Sequence, residues 1–426
     1  MRYGIVYFDA AIERRRVDPR DKNAYVQARE GWASIAGTTA FRIDRISELP
    51  SDVIWITNLD FTSYLKNNLG GSPNFVPYYY LKTDIAQIAA EIGAHPEHER
   101  VNVIVECLAE VFARTMRLAE QEFSVKGIGV GAKKKKLEHA IAGAIGRQSQ
   151  VMDASLNKVM EQAFQRRNQV IGQTIPYEWW QCTLRRNRYE HAHDTLSVRV
   201  PSTGNWEYLD ASRLPSGKQR VDWAINNDLP IVVHVRVADG KGLGAVLTSF
   251  GNKGRTTIAR EWVSAPELCW LARYYSSIDI DAAFVCNDGY LPQREIERFP
   301  AANEFCLASV SMGLLAENFL AVLMEPSENP LSTAIYYPSC VWYSAVDRFI
   351  MFSLAYRIAK ASGFGDPSAG FKIHSYGFGN IQIATPHEKI DELTDLAAGL
   401  GLEVPSTAYW KRTMQHRLLQ TEQAGA

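Results

Sequence analysis

Cysteine is scarce, and what there is shows no pairing pattern. The six cysteines (Cys107, Cys182, Cys269, Cys286, Cys306 and Cys340) include no Cys-x-x-Cys and no other ligand spacing, and most sit in apolar surroundings. That excludes a zinc ribbon and a disulfide framework, and predicts reduced core thiols of a cytoplasmic protein. Net charge is almost absent too, at −1. No uncharged apolar run approaches ~18 residues, so no membrane span is expected. The opening MRYGIVYFDA lacks the basic, apolar and cleavage-site order of a signal peptide. The glycine-rich stretch Ser124–Ala132 lacks a Gly-Lys-Ser/Thr ending and a preceding strand, which excludes a P-loop. What remains is a chain of 426 residues, 46% hydrophobic and 22% charged, with material for about two or three globular domains.

The near-zero charge hides an asymmetry. Between Lys126 and Arg188 there are twelve Lys or Arg against four Asp or Glu, so the remainder is correspondingly acidic. A basic segment inside a neutral chain points to a polyanion partner. Lys133, Lys134, Lys135 and Lys136 form an unbroken run, and Arg147, Arg166 and Arg167 follow on polar helical sequence. Together they can track a phosphate backbone or form a solvated helix face. Residues 175–200 add Arg185, Arg186 and Arg188 among Trp179, Trp180 and Tyr189. Cations interleaved with aromatics suit phosphate contact plus base stacking, with core packing of the Trp pair as the alternative. His191, His193 and Asp194 are metal-ligating types, without a further ligand at useful spacing.

Periodicity predicts the coarse architecture. Arg2–Phe8, Thr39–Ile43 and Asp52–Thr57 read as strands and Tyr78–Ile92 as a helix, an α/β beginning. Val101–Phe123 has helical spacing, and so does Leu137–Val170, as one long helix or a pair. Leu229–Val237, Leu243–Ser249 and Ile278–Val285 read as strands, with a helix at Pro266–Tyr275. Ala302–Met324 is an apolar helix, Ile335–Tyr343 a strand or turn, and Ser344–Ala361 a long buried helix. That helix runs into Phe371–Pro386, where alternating strands flank Gly377 and Gly379, residues that permit a tight turn at positive φ. An amphipathic helix, Glu388–Leu400, follows and stops at Gly401.

In this order the chain resembles the protein-primed family B DNA polymerases over most of its length. Asp9-Ala10-Ala11 stands where the first exonuclease motif of that family reads Asp-x-Glu. Asn58-Leu59-Asp60-Phe61-Thr62 stands where the second reads Asn-Leu-x-Phe-Asp, and Tyr80-Leu81-Lys82-Thr83-Asp84 matches the third, Tyr-x-x-x-Asp. Leu184-Arg185-Arg186-Asn187 takes the place of the template-contacting Tyr-Arg-Gly-Gly. Asn205–Pro215 is similar to the first polymerase motif, a strand ending in Asp-x-x-Ser-Leu-Tyr-Pro, with Asp210 as its metal ligand. The run from Leu229 to Val285 resembles the palm segment after it, and Ser344–Ala361 the helix entering the catalytic hairpin. Residues 409–417 resemble the primer-contacting segment, with Lys411, Arg412 and Arg417 as its cations.

The resemblance implies an α+β or α/β chain in three parts. These are an RNase H-like exonuclease-type domain at 1–95, a helical basic connecting region at 96–200, and a palm-like domain at 201–426. The last has short helical fingers (295–362) and a stub thumb (387–426). The resemblance also implies lost catalysis. Ala11 and Thr62 stand where nuclease carboxylates belong, and Gly377 and Gly379 where the hairpin's metal-binding aspartates belong. The apolar helix Ala302–Met324 offers no lysine or arginine to an incoming triphosphate. Two-metal phosphoryl transfer needs at least two carboxylates, and Asp9, Asp60, Asp84 and Asp210 are left as vestigial candidates. The expectation is a catalytically inactive polymerase-like protein that binds DNA or RNA and needs no metal or other cofactor. Its role would be structural or regulatory, in replication, mobile-element or defence machinery, with other subunits of a larger complex as further partners. One alternative is a divergent active polymerase or nucleotidyltransferase using magnesium, with Asp279, Asp281 and Asp288 as the nearest spare acids. The other is a scaffold or assembly protein without nucleic-acid binding.

Overall fold

A computed structural model describes residues 2–8, 31–44, 48–57, 75–77, 88, 92, 101–124, 137–144, 152–170, 175–176, 178–217, 219–248, 250, 262–292, 307–328, 334–363, 370–403 and 411–412. The chain divides into two compact units, Met1–Ser149 with Glu297–Val322, and Gln150–Ile296 with Leu323–Ala426. The boundaries cut through the expected 96–200 and 295–362 segments.

In the first unit, strands β1 (Arg2–Phe8), β2 (Gly31–Ile35), β3 (Phe41–Ile43), β4 (Val53–Thr57) and β5 (Phe75–Pro77) form a sheet in the order β3-β2-β1-β4-β5. β2 runs antiparallel to β1 and β3, while β1, β4 and β5 are mutually parallel. β1 and β4 are unbroken apolar runs because they lie at the centre of the sheet, where parallel strands are covered on both faces. Gly4 is needed there, since a Cβ would sit 2.6 Å from the Trp55 ring and 2.8 Å from Ser34 O. Helix α1 (Val101–Phe123) lies on β1 and β2 through a stripe that includes Ile104, Leu108, Phe112 and Met116. A short helix α2 (Leu137–Ala144) follows.

The apolar helix α8 (Leu307–Met324, numbered along the chain) joins this unit. It has 18 residues and a mean hydropathy of 1.7, long and apolar enough to cross a membrane, and 61% of it is buried inside the protein. Glu317 interrupts it, so it is not an uncharged run of the kind sought in the sequence. Its packing on α1 accounts for the composition. Thr115 Oγ1 donates to Ser311 O at 3.3 Å, Ser311 Oγ donates to Val111 O at 3.2 Å, and the rings of Phe123 and Phe319 lie 5.0 Å apart.

The second unit holds two principal sheets. β8 (Trp206–Asp210), β9 (Ile231–Gly240), β10 (Trp262–Ser264) and β11 (Tyr275–Cys286) form an antiparallel sheet in the order β10-β9-β11-β8. Helices α5 (Gln219–Ile225) and α7 (Ala265–Leu271) cover one face, over a core that includes Ile231, Val233, Leu268 and Ala283.

The second sheet contains the hairpin, β14 (Lys372–Gly377) and β15 (Asn380–Thr385). Its other strands are β6 (Asn168–Gln169), β7 (Trp180–Arg186), β16 (Leu402–Glu403) and β17 (Lys411–Arg412). The order is β16-β7-β15-β14-β6, with β17 also on β7. The hairpin is therefore paired with strands from the expected connecting region, and Asp210 lies in the other sheet.

Around these sheets stand α3 (Ala154–Ala163), α4 (Arg188–Leu196), α6 (Gly242–Thr248) and α10 (Ile390–Gly399), with the short pair β12 (Ser327–Glu328) and β13 (Ala334–Ile335). Helix α9 (Pro338–Ala361) packs against β14, α7, α6 and α4, so it is apolar nearly all round.

Three element expectations are corrected. Leu243–Ser249 is the helix α6, because a short apolar run carries no periodicity to separate helix from strand. The long buried helix starts at Pro338, within the expected strand or turn at Ile335–Tyr343, with proline in the first turn where its missing N–H costs nothing. Within Leu137–Val170 the helix pair is present as α2 and α3, but its end is the strand β6 and not helix.

Candidate nucleic-acid interface at the hairpin tip

The turn between β14 and β15 is two residues long. Gly377 pairs with Asn380, and Phe378 and Gly379 take φ of +56° and +67°. Both central residues at positive φ is the type I′ geometry that suits the twist of a hairpin. Gly377, at φ +126°, is in a region only glycine enters comfortably. Phe378 is the misfit. A β-carbon in the left-handed region costs roughly 1–2 kcal/mol, and Asn or Asp is the usual occupant.

Asp347 of α9 holds the turn in place. Its side chain is fully buried. Oδ2 accepts the Phe378 N–H at 2.5 Å and Oδ1 accepts the Gly379 N–H at 2.9 Å. His191 Nε2 lies 2.7 Å from the same Oδ1. His191 is delivered by α4, whose N-terminus is capped by Asn187 accepting from the Tyr189 and Glu190 N–H groups. Beneath lies a second buried pair: Arg348 donates to both Glu267 oxygens, at 2.9 and 3.0 Å. Burial works to lower the Arg348 guanidinium pKa, but Glu267 overrides it and the net direction is up. Tyr376 joins β14 to its neighbours. Its OH accepts from Asn168 Nδ2 at 2.9 Å and donates to Leu247 O at 3.1 Å.

The rim of the tip is cationic. The Arg166 guanidinium lies over the Phe378 ring, 4.3 Å from its centroid, and pairs with Glu325 at 2.9 Å. Burial lowers the Arg167 guanidinium pKa, and so do the neighbouring Arg166 and Arg185, while Asp347 raises it. Such like-charge crowding is relieved by an anion. Arg185 stands opposite Asn380 in the sheet, and the Arg186 N–H donates to Gly379 O at 2.9 Å. The Arg186 side chain is 2.5 Å from Asp194. Lys411 and Arg412 do not join this rim: they pair with Gln181 and Trp180, at the end of β7 away from the tip.

Several sequence expectations fare differently. Arg188 is buried, 5% exposed, because it opens α4 on the face packed inward; it is corrected from the phosphate-contacting set. His191, His193 and Asp194 do not converge. Neighbours two apart leave a helix in different directions, so His191 meets Asp347 while His193 lies 3.4 Å from Asp194. Asp210 is exposed at the end of β8. Its carboxylate accepts from Ser212 Oγ at 2.6 Å and Ser212 N–H at 2.9 Å, which hold its pKa below the usual carboxylate range. Asp281 is 2.5 Å from His234, and Asp288 accepts the Asn205 N–H at 2.9 Å. Among the described residues no group of three or more His, Cys, Asp or Glu is placed to hold a metal ion. Asp9, Ala11, Asp60, Thr62, Asp84, Lys133, Lys134, Lys135, Lys136, Arg147 and Arg417 lie outside the described residues.

Asp347, Arg348 and Glu267 were not foreseen as a network. A signal was present: adjacent opposite charges in the middle of an apolar helix imply buried partners. Chemically, the tip has one buried carboxylate that accepts from two backbone N–H groups, with a histidine ring nitrogen close by outside hydrogen-bond geometry, and an outer surface of aromatic ring and guanidinium. That surface suits an anionic, planar partner.

No protein-family model matches the chain, and no curated protein matches it. Among solved structures it is similar to Phi29 DNA polymerase complexed with primer-template DNA (post-translocation binary complex), with a TM-score of 0.38 and 11% identity. That match covers 72% of this chain and 60% of the polymerase, so the chain spans less than two thirds of it. It is also similar to Phi29 DNA polymerase complexed with primer-template DNA and incoming nucleotide substrates (ternary complex). There the TM-score is 0.39 and the identity 10%, over 89% of this chain and 80% of that one.

Proposed function

We propose that the chain is a polymerase-like nucleic-acid-binding protein whose hairpin binds DNA or RNA and does not carry out two-metal phosphoryl transfer. The observation that carries this reading is the tip itself. The turn is Gly377-Phe378-Gly379, and its backbone N–H groups are taken by a carboxylate, Asp347, that is fully buried. A metal clamp needs carboxylates that face the substrate. Outward, the tip presents Phe378 under Arg166, beside Arg167 and Arg185. The strain at Phe378 supports selection for its ring, since a turn alone would be served better by asparagine.

The first unit is, on this reading, an RNase H-like domain of the exonuclease type. Its mixed sheet with the second strand reversed supports that. The role proposed for the whole protein is structural or regulatory, within replication, mobile-element or defence machinery.

The second reading is an active magnesium-dependent enzyme. It draws on Asp210, an exposed carboxylate at a strand end that Ser212 keeps ionised. Binding of a labelled single strand, followed by anisotropy over a salt series, tests the first reading. Phe378→Asn should keep or raise thermal stability and weaken binding several-fold. Neutralising Lys133–Lys136 should flatten the dependence of log K on log salt by up to about 3 units if all four contact phosphate. Magnesium-dependent primer extension that disappears in Asp210→Ala would instead establish the second reading.

A further inference from the structure

The sheet β10-β9-β11-β8 sorts its side chains by face. Ile231, Val233, Val235, Ala283 and Val285 point toward the core. The opposite face carries rings. His234, Trp262, Phe284 and Tyr208 come from four different strands and form a continuous row. Successive centroids are 5.2 Å (His234 to Trp262), 5.7 Å (Trp262 to Phe284) and 5.2 Å (Phe284 to Tyr208) apart. Register produces the row, because Trp262 pairs with His234 and Phe284 with Tyr208. None of the four is in the cluster under the sheet; Tyr208 is 50% exposed, His234 and Trp262 are partly buried, and Phe284 is 8% exposed.

Three rings of this row, Trp262, Phe284 and Tyr208, line a cavity of about 760 Å³. One wall is α3, which contributes Lys158. Another is Trp206, held by its Nε1 donating to Ser202 O at 3.1 Å and by ring contact with Trp342 at 6.2 Å. The volume is that of a small-molecule site. The lining is more selective than an ordinary apolar pocket, with flat π surfaces beneath and one charge of each sign at the side, Lys158 and Asp153. A sheet face with exposed rings stacks the bases of a single strand, and the bases need not be of one sequence because every base has a π face.

We propose that this cavity takes a nucleobase of a single-stranded nucleic acid, stacked on Tyr208 and the Phe284–Trp262 row, with the adjoining phosphate toward Lys158. It rests on the nucleic-acid-binding reading above and adds to it a contact with bases, in a different sheet from the cationic hairpin tip.

The test uses the full chain with two labelled oligonucleotides of equal length and charge, one of thymidylate and one abasic. The thymidylate strand should bind about 10-fold tighter or more, the factor expected for a stacked base. Tyr208→Ala should remove most of that difference and Tyr208→Phe should keep it, both with the salt slope unchanged. Tyr208 is half exposed, so an unaltered melting temperature shows that the variants are folded. Thymidine monophosphate shares the chemistry of base plus phosphate and serves as competitor. Failure to displace the strand at equal concentration supports a strand base, and full displacement overturns it in favour of a free nucleotide. Equal binding of the abasic and thymidylate strands overturns this proposal and leaves the phosphate contacts of the hairpin reading standing. Absence of binding by either strand at low salt overturns both.

Discussion

At Gly377 and Gly379 the backbone leaves little room for the carboxylates that the polymerase resemblance would put there. A Cβ on Gly377 would lie 2.8 Å from Arg166 O and 3.1 Å from the Arg167 Cα, backbone atoms that cannot swing aside. Its φ of +126° adds strain of about 1–3 kcal/mol for any side chain. Gly377→Asp is therefore expected to lower stability by at least about 2 kcal/mol, read as a fall in the urea midpoint, without any gain in magnesium-dependent extension. A variant as stable as the parent that acquires extension activity would sink the view that the tip is closed to metal. The Arg348–Glu267 pair makes a second residue-scale case. Both side chains are fully buried, so removing one strands a charge. Arg348→Met alone should cost about 3–5 kcal/mol, while Arg348→Met with Glu267→Leu should recover most of it. Denaturation of the two variants side by side checks this. The sequence signalled that Asp347 and Arg348 needed partners. It could not name Glu267, 81 residues away, because only the fold brings α7 against α9.

Elements were legible where their period was long or their ends marked. β1 and α1 occur at the predicted bounds, Arg2–Phe8 and Val101–Phe123, and the hairpin strands flank the predicted glycines. Short apolar runs were not legible. Gly242–Thr248 is a helix because it must pass beneath the hairpin and meet α9, a tertiary demand that local pattern does not express. That contact is held by polar atoms. Tyr376 OH and Asn168 Nδ2 both reach Leu247 O, tying β14 and β6 to α6. Tyr376→Phe leaves a buried amide short of a partner and should cost about 1–3 kcal/mol. Because the bond joins three elements, amide exchange should accelerate in β6 and α6 as well as in β14. Acceleration confined to β14 would mean that the hydroxyl does not link them.

For the whole molecule, reading the chain as consecutive domains predicts three segments, whereas the first unit is completed by Glu297–Val322. Linear motif order cannot reveal such a return, since the contact pairs Ser311 with Val111, 200 residues earlier. The return does explain why α8 is as apolar as a membrane span. Its buried Leu314, Leu315, Phe319 and Leu320 are together worth on the order of 6–12 kcal/mol if hidden from water, at 1.5–3 for each side chain. That is comparable to the whole stability of a typical domain, about 5–15 kcal/mol. The piece Met1–Ser149 alone should therefore fail to fold cooperatively and should bind a hydrophobic dye. The same piece joined through a short Gly/Ser linker to Glu297–Met324 should regain a sharp urea transition and lose the dye signal. If Met1–Ser149 unfolds alone with the same midpoint as the linked form, α8 contributes nothing to that core, and its apolar surface must be explained by a partner outside the unit.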